Sequence, residues 1–403
     1  MGYTRRDFVG LASATLAAGT SGLARATEGP DDPLGVRQDF PANIGSTYLN
    51  SPYIAPSPIS VMEAGTAFLE AKTKDPVSLG SMLGENQAVR EKFAALVGAE
   101  VGEIGLLSTT SEGENIVTGS IDWRRGDNVV IDTLHYNTTM VLYSELAKRH
   151  GIDVRVVPDV DGAIQLDAIE ARVDDRTRLV SVSWVSHRNG FRHDLDAVAE
   201  IAHAKGAYLY ADAIQGIGAL DLDVRQTGVD FFTSGTYKWL LGGYGLAPFF
   251  VRNELLGAVN PDRIGWRQVE SEPSPGEYRF YDDARKFGYA TPSFGAVYQL
   301  SAALDYLADV GVTNIEGHAV PLARMLNQAL REQGFRVLTP IDNASQIVAF
   351  EHGTDAARAR ASLEEAAIKV SFREGDSQVR IGVALFNNAE DCDRLLATTK
   401  TWI

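Results

Sequence analysis

The chain has 403 residues, of which 45% are hydrophobic, and it carries a formal net charge of −16 at pH 7. This length is sufficient for a sizeable core and for more than one domain. So acidic a chain repels the phosphate backbone of nucleic acids, and we therefore expect neither a nucleic-acid partner nor an anionic polymer as substrate.

The cysteine and histidine content argues against disulfide and metal sites. Cys392 is the only cysteine, so no disulfide can form within the chain. The 7 histidines are scattered without the spacing of metal ligands. We therefore expect no metal site.

The first 26 residues have the features of an export signal. Arg5 and Arg6 precede an apolar run at residues 11–18, and small residues flank Arg25 near a cleavage site. This order is typical of a twin-arginine signal, which directs folded proteins to the twin-arginine translocation machinery. The apolar run is too short for a permanent membrane anchor. We expect a periplasmic protein in which residues 27–47 form a linker or N-terminal arm.

The next 200 residues alternate between helix and strand patterns. Residues 59–97 indicate two helices, and further helix patterns lie at about 166–172 and 195–205. Apolar strand patterns begin at residue 104 and recur at residues 127–132, 154–157, 178–185, 207–211 and 230–233. This alternation predicts an α/β fold with a parallel sheet joined by right-handed crossovers.

The last third of the chain has a different pattern. Residues 252–288 contain proline, glycine, aromatic and charged residues, and we expect a lid or dimer-facing region there. A long helix pattern at residues 297–307 leads into a second unit. That unit has a helix pattern at about residues 314–331 and short strand patterns at residues 335–338, 346–350 and 368–372. A smaller α+β domain is the expected result.

Two of the predicted strands end in polar groups that suit one reaction. Asp212 directly follows an apolar run, and Lys238 follows the next run between Tyr237 and Trp239. Ligands bind at the carboxyl ends of the strands in open α/β sheets, so we expect Asp212 and Lys238 to face one cavity. A lysine in apolar surroundings can form an imine with a carbonyl, and a carboxylate can keep a pyridine nitrogen protonated.

Together with Gln215, three residues after Asp212, this spacing resembles the class V aminotransferase family of fold type I. The likeness is to the isopenicillin N epimerase-like and cysteine desulfurase-like branch and extends from about Tyr48 to the C-terminus. It implies pyridoxal 5′-phosphate (PLP) as the cofactor, with Lys238 bonded to its aldehyde and Asp212 at its ring nitrogen.

The resemblance also implies a domain organisation. A large PLP-binding domain at residues 48–295 would contain a mostly parallel seven-stranded sheet between helices. Residues 296–403 would form an interdomain helix and the small α+β C-terminal domain.

Further cofactor contacts follow from the resemblance. Tyr136 is expected to stack on the cofactor ring, and Gln215 to contact its phenolic oxygen. The residues expected around the cofactor phosphate are Thr110, Ser111, Glu112, Gly113, Gly235, Tyr237 and Thr291. The first four follow a strand and begin a helix, an arrangement that favours an anion site. Thr291 would reach the phosphate of a neighbouring subunit, which implies a homodimer with a shared active site.

Three residues are expected to contact an amino-acid substrate. Arg380 occupies the position of the arginine that clamps the α-carboxylate through two parallel hydrogen bonds. Asn50 is expected near the substrate. His187 replaces an asparagine of the desulfurase-like members, and its ordinary pKa near working pH makes it a candidate proton carrier.

The resemblance leaves the reaction type open. Lys238 is expected to move the Cα proton, after which epimerisation, loss of a β-substituent, transamination or oxidation by oxygen could follow. Residues 373–378 contain no cysteine nucleophile, so the sequence argues against a cysteine desulfurase. It favours an isopenicillin N epimerase-like or C–S lyase-like enzyme acting at Cα or Cβ. A catalytically degenerate amino-acid-binding protein is the alternative of another class.

Overall fold

The computed structural model describes residues 31–271 and 276–403. The predicted twin-arginine signal and the first residues of the predicted arm lie outside the described residues. None of the described helices combines the length and the apolar character needed to cross a membrane.

The fold is built around a central sheet of seven strands. The first eight strands are β1 (Thr47–Tyr48), β2 (Ile104–Leu107), β3 (Asn128–Asp132), β4 (Asp153–Val157), β5 (Thr177–Ser183), β6 (Tyr208–Asp212), β7 (Phe231–Thr233) and β8 (Ala247–Val251). All but β1 form the central sheet, in the order β2-β8-β7-β6-β5-β3-β4. β8 is antiparallel to both of its neighbours, and the other pairs are parallel. This confirms the predicted mostly parallel seven-stranded sheet.

Ten α-helices lie in the described part of the chain. They are α1 (Ile59–Lys74), α2 (Leu79–Val97), α3 (Thr110–Ser120), α4 (Asn137–His150), α5 (Leu166–Glu170), α6 (Leu195–His203), α7 (Phe294–Val310), α8 (Val312–Glu332), α9 (Ala356–Glu365) and α10 (Ala389–Thr399). Helices α2, α3, α4 and α6 pack on the central sheet, whose strands β3, β7 and β8 are buried along their whole length. α7 packs on both α1 and α2 before the chain enters the C-terminal unit.

The C-terminal unit has its own sheet and core. Its strands are β9 (Arg336–Val337), β10 (Ile347–Glu351), β11 (Ile368–Lys369), β12 (Ser371–Arg373) and β13 (Gln378–Gly382). Four of them form an antiparallel sheet in the order β12-β13-β10-β9, while β11 pairs with β1. The single strand predicted at residues 368–372 is therefore two strands, because its two halves pair with different partners.

The segment before β1 is fixed to the C-terminal unit through one carboxylate. Asp391, near the start of α10, accepts hydrogen bonds from Arg37 at 2.7 Å and from Thr47 at 3.1 Å. Asn43 and Asn387 also donate to this carboxylate. Its burial is tolerated because these donors replace water around the charge.

Candidate active site

A cavity of about 380 Å³ lies where β5 and β6 end and α3 begins. This volume and this place in an α/β sheet are typical of a small-molecule site. The predicted site residues that line it are Thr110, Ser111, Tyr136, His187, Asp212, Gln215, Gly235, Tyr237 and Lys238.

Lys238 and Asp212 are both buried and both face this cavity. Burial lowers the pKa of Lys238 to about 8, and the negative charge of Asp212 opposes that effect. The positive charges of Arg380 and Arg373 reinforce it. Burial raises the pKa of Asp212 to about 6, against the hydrogen bond from the Ile214 amide and the charge of Lys238. A lysine pKa this low provides the neutral amine that imine formation requires.

The backbone around Lys238 forms a tight turn between β7 and β8. The amide of Leu241 donates to the carbonyl of Lys238 at 2.8 Å, and Leu241 has a φ of 60°. Residues other than glycine seldom adopt this left-handed conformation, so the turn is specified by its surroundings. The amine is therefore presented from a fixed point of the backbone.

The N-terminus of α3 opens into the cavity. The hydroxyl of Thr109 caps the helix by accepting from the amide of Glu112 at 3.3 Å. The amides of Thr110 and Ser111 belong to the first turn, which has no helical partners for its N–H groups. With the helix dipole, they suit a phosphate. Across the cavity, a Cβ on Gly235 would lie 3.1 Å from the Thr110 hydroxyl, so glycine keeps this space open.

Three residues predicted around the phosphate do not line the cavity of this chain. The carboxylate of Glu112 turns back to accept from the amide of Ser108 at 2.8 Å, which shapes the turn into α3. Gly113 allows α3 to approach the sheet, because a Cβ there would lie 1.9 Å from the hydroxyl of Thr233. Thr291 is exposed in the loop before α7. Its predicted contact with a second subunit stays a prediction.

Gln215 faces the cavity, but most of its amide is already engaged. Its Oε1 accepts from the indole of Trp239 at 2.9 Å, and its Nε2 donates to the carbonyl of Pro52 at 2.9 Å. One N–H remains for the phenolic oxygen of the cofactor.

Tyr136 and His187 form an aromatic wall of the cavity. Their rings meet edge to face at 5.0 Å, and Tyr136 is 45% exposed, with a ring face that a ligand can cover. Burial lowers the pKa of His187 to about 2, and the nearby charges of Arg373, Arg380 and Lys238 lower it further. These surroundings favour the neutral form of His187, and its predicted role as a proton carrier stays a prediction.

Asn50 and Arg380 lie in a second polar cluster behind His187. Arg380 donates to the backbone carbonyl of His187, and its Nη2 is 3.4 Å from the hydroxyl of Ser371. The same hydroxyl donates to Oδ1 of Asn50. Burial lowers the pKa of Arg380 to about 9, and the charge of Arg373 lowers it further. Arg380 is buried and Arg373 is partly buried, and neither forms an ion pair with a carboxylate among the described residues, which favours the binding of an anion here.

Sequence reasoning missed a buried acid in the cavity wall. Glu114 lines the cavity, and its Oε1 accepts from Ser181 at 2.7 Å and from Tyr143 at 3.0 Å. A signal was present in the sequence, because Glu114 precedes the apolar Val117 by three residues and so falls on the same helix face. A charged residue on a buried helix face indicates a paired or functional group.

The residues present fit PLP. A lysine amine and a carboxylate face one cavity, and a helix N-terminus offers amides to a phosphate. In the described part of the chain, Nδ1 of His187, Nε of Arg380 and Oγ of Ser234 are buried without a hydrogen-bond partner. Such groups are costly unless a ligand satisfies them. No group of three or more His, Cys, Asp or Glu among residues 31–271 and 276–403 is arranged to hold a metal ion.

Comparison with known proteins gives relatives over most of the chain. A probable cysteine desulfurase of Methanothermobacter thermautotrophicus is 32% identical over 298 residues, which are 72% of this chain and 74% of that protein. A cysteine desulfurase of an Enterobacter species is 26% identical and covers 91% of this chain and 97% of its own length. The crystal structure of the cysteine desulfurase CsdA from Escherichia coli superimposes with a TM-score of 0.81 at 25% identity, covering 91% of this chain and 97% of that one.

These relatives correct the functional expectation from sequence. The exclusion of cysteine desulfurases is wrong, because proteins of that name match most of the chain at 26–32% identity. The exclusion depended on one missing cysteine in residues 373–378, whereas the likeness covers both domains. Desulfurase-like relatives therefore replace the epimerase-like or C–S lyase-like reaction as the starting point for a proposal.

The family model that matches is that of class V aminotransferases, and it matches residues 47–395. This range includes both the cavity and the cluster around Arg380. The chain therefore belongs to the class V aminotransferase family of PLP-dependent enzymes of fold type I, and its recognisable relatives include cysteine desulfurases.

Proposed function

We propose that this protein removes the β-sulfur of L-cysteine or of a closely related amino acid. The observation that carries the proposal is the pairing of Lys238 and Asp212 in one cavity of a chain whose relatives are named cysteine desulfurases. When bound, PLP withdraws electrons from the substrate Cα, which makes the Cα proton acidic.

The residues of the chain have separable roles in this proposal. Lys238, with its lowered pKa, binds the aldehyde of the cofactor and, once released, takes the Cα proton. Asp212 would hold a proton on the ring nitrogen of the bound cofactor, and Tyr136 would cover one face of its ring. Arg380 and Asn50 hold the α-carboxylate of the substrate, and neutral His187 donates or accepts one hydrogen bond beside it.

The sulfur acceptor must come from outside the described chain. Cys392 is 0% exposed in the core of the C-terminal unit, and burial raises the pKa of its thiol to about 12. A thiol rather than a thiolate is a poor nucleophile. We propose a low-molecular-weight thiol as acceptor. The C–S bond breaks, the small thiolate takes the sulfur atom to give a persulfide, and Cβ keeps the electron pair and gains a proton, which yields L-alanine.

We also propose the finer features that the resemblance implies. The enzyme is a homodimer in which Thr291 of each chain reaches the cofactor phosphate of the other. It is exported by the twin-arginine pathway and works in the periplasm, because residues 5 and 6 form the arginine pair of such a signal. The exposed position of Thr291 is compatible with a contact to a second chain.

Product analysis tests the proposed reaction. The holoenzyme is incubated with L-cysteine and dithiothreitol, and alanine, sulfide, pyruvate and ammonia are measured. We expect alanine and sulfide in equal amounts, with neither in the Lys238→Ala variant. Formation of pyruvate and ammonia in place of alanine, or no release of sulfide, would reject desulfuration.

A further inference from the structure

A connected set of buried polar groups links the wall of the cavity to the loop that carries Tyr136. The amide of Tyr136 donates to Nδ1 of His135 at 2.7 Å, so Nδ1 is an acceptor and the ring proton lies on Nε2. Nε2 lies 3.0 Å from Oγ of Ser181, and that hydroxyl donates to Glu114 at 2.7 Å. Each donor therefore has one acceptor along the path from His135 to Glu114.

The side chains that connect the Tyr136 amide to the cavity wall are all buried. Glu114, His135 and Ser181 are buried, and so is Tyr143, which donates to the same carboxylate oxygen at 3.0 Å. A buried carboxylate without these donors would be strongly destabilised, and the donors allow Glu114 to ionise inside the protein. Because the network also holds the Tyr136 amide, a change at Glu114 alters the position of the tyrosine ring.

Glu114 also acts on the charge of the cavity. Burial raises the pKa of Glu114 to about 7, an effect that the charge of Asp212 increases and that the hydrogen bonds from Ser181 and Tyr143 oppose. The titratable groups that face Glu114 are Tyr143 from α4, Tyr210 and Asp212 from β6, and His135 from the loop after β3. Above pH 7 the cavity therefore gains a second carboxylate charge beside that of Asp212.

We propose that Glu114 is a positioning residue for the cofactor, which fixes the Tyr136 loop through Ser181 and His135 and supplies a second negative charge near Asp212. The proposal builds on the proposed function only in that PLP occupies the cavity. It does not depend on which amino acid is the substrate.

The visible absorption of the holoenzyme tests the charge of Glu114. Absorption is followed from pH 5 to pH 10 without substrate, in the native protein and in the Glu114→Gln variant, which keeps the size of the side chain but cannot ionise. Removal of a nearby negative charge destabilises the protonated chromophore. We therefore expect the pH midpoint of the absorption change to fall by about one pH unit in the Glu114→Gln variant. The matched control is Glu145→Gln, which removes an exposed carboxylate from α4 and leaves the midpoint unchanged.

The Ser181→Ala variant tests the link to Tyr136, because it keeps both carboxylates and breaks the path. We expect a weaker visible circular dichroism signal of the bound cofactor and a several-fold faster loss of PLP on dilution. The proposal would be overturned if the Glu114→Gln variant kept the native pH midpoint of the absorption change and the Ser181→Ala variant kept the native dichroism.

If the Glu114→Gln variant does not fold, the Tyr143→Phe variant decides. A lowered pH midpoint of its absorption change supports the role of Glu114, and an unchanged midpoint overturns it. A failure of the cysteine reaction would leave these spectra readable, so the two proposals fail separately.

Discussion

Asp212 and Lys238 face the same cavity, and the carboxylate of Asp212 raises the pKa of Lys238 while burial lowers it to about 8. Burial therefore favours the neutral Lys238 amine that reacts with an aldehyde, and Asp212 keeps a negative charge in the same cavity. Asp212 ends β6, and Lys238 lies in the turn that follows the neighbouring strand β7, which explains why the two residues meet.

The charge of Asp212 predicts a pH effect on cofactor capture. Only the neutral amine attacks an aldehyde, so the rate of PLP attachment to cofactor-free protein rises with pH, with a midpoint near the Lys238 pKa of about 8. Asp212→Asn removes the charge that raises this pKa, and the midpoint falls by about one pH unit. Rapid-mixing absorbance across pH measures it. A midpoint that stays or rises in the variant would show that the two groups are not coupled.

Arg380 is expected to recognise the substrate through geometry as well as charge. Arg380→Lys keeps a positive charge but loses the two parallel donors, so we expect KM for L-cysteine to rise about tenfold or more, with a smaller change in kcat. Steady-state kinetics measures both constants. Arg336→Lys, on an exposed strand of the same sheet, is the control and keeps the native KM. An unchanged KM in the first variant would remove Arg380 from the substrate site.

Cys392 provides a test of the external sulfur acceptor. Because its thiol is buried and has a pKa of about 12, Cys392→Ala is expected to keep the native rate of alanine formation with dithiothreitol present. Circular dichroism verifies that the variant is folded. A folded variant that no longer forms alanine would show that this thiol receives the sulfur, against the proposal.

Asp391 is expected to link stability to pH. Burial favours its protonated form, but hydrogen bonds from Arg37 and Asn387 outweigh burial and hold its pKa below the ordinary value. A lowered folded pKa stabilises the protein above the unfolded pKa of about 4, and this contribution is lost as the pH falls through the folded pKa. Asp391→Asn is expected to reduce the free energy of unfolding by about 2–3 kcal/mol at pH 7 and to weaken its decline in acid.

Urea unfolding at several pH values measures this effect. Asp393→Asn is the control, since Asp393 is exposed on the same helix. The role of the buried carboxylate would be contradicted if both variants lost the same free energy of unfolding. It would also be contradicted if the free energy of unfolding of Asp391→Asn declined in acid as steeply as that of the native protein.

Much of the central fold could be predicted from periodicity, because parallel strands buried on both faces are continuous apolar runs. The strand patterns at residues 127–132, 207–211 and 230–233 match β3, β6 and β7 within one residue at each end. β8 was not recognised, because its apolar run contains Pro248 and one of its two partners, β2, is distant in sequence. The family resemblance implied seven strands, one more than the strand patterns showed, and β8 is that seventh strand.

The part of the site that could be predicted from the sequence is the pair of Lys238 and Asp212, whose residue types suit imine formation and the binding of a ring nitrogen. Lys238 and Asp212 follow strands, and strand ends meet at one edge of a parallel sheet. Glu114 could not be assigned in this way, because its partners Ser181 and Tyr143 belong to other elements. The pKa of His187 was equally out of reach, since it depends on burial and on arginines nearly 200 residues away in sequence.

Reduction of the holoenzyme with sodium borohydride, followed by peptide mass mapping, tests the central claim most directly, because it fixes the cofactor to the amine that holds it. We expect a pyridoxyl group on the peptide that contains Lys238 and none in the Lys238→Ala variant. A pyridoxyl group on another lysine, such as the buried Lys286, with Lys238 unmodified, would contradict it.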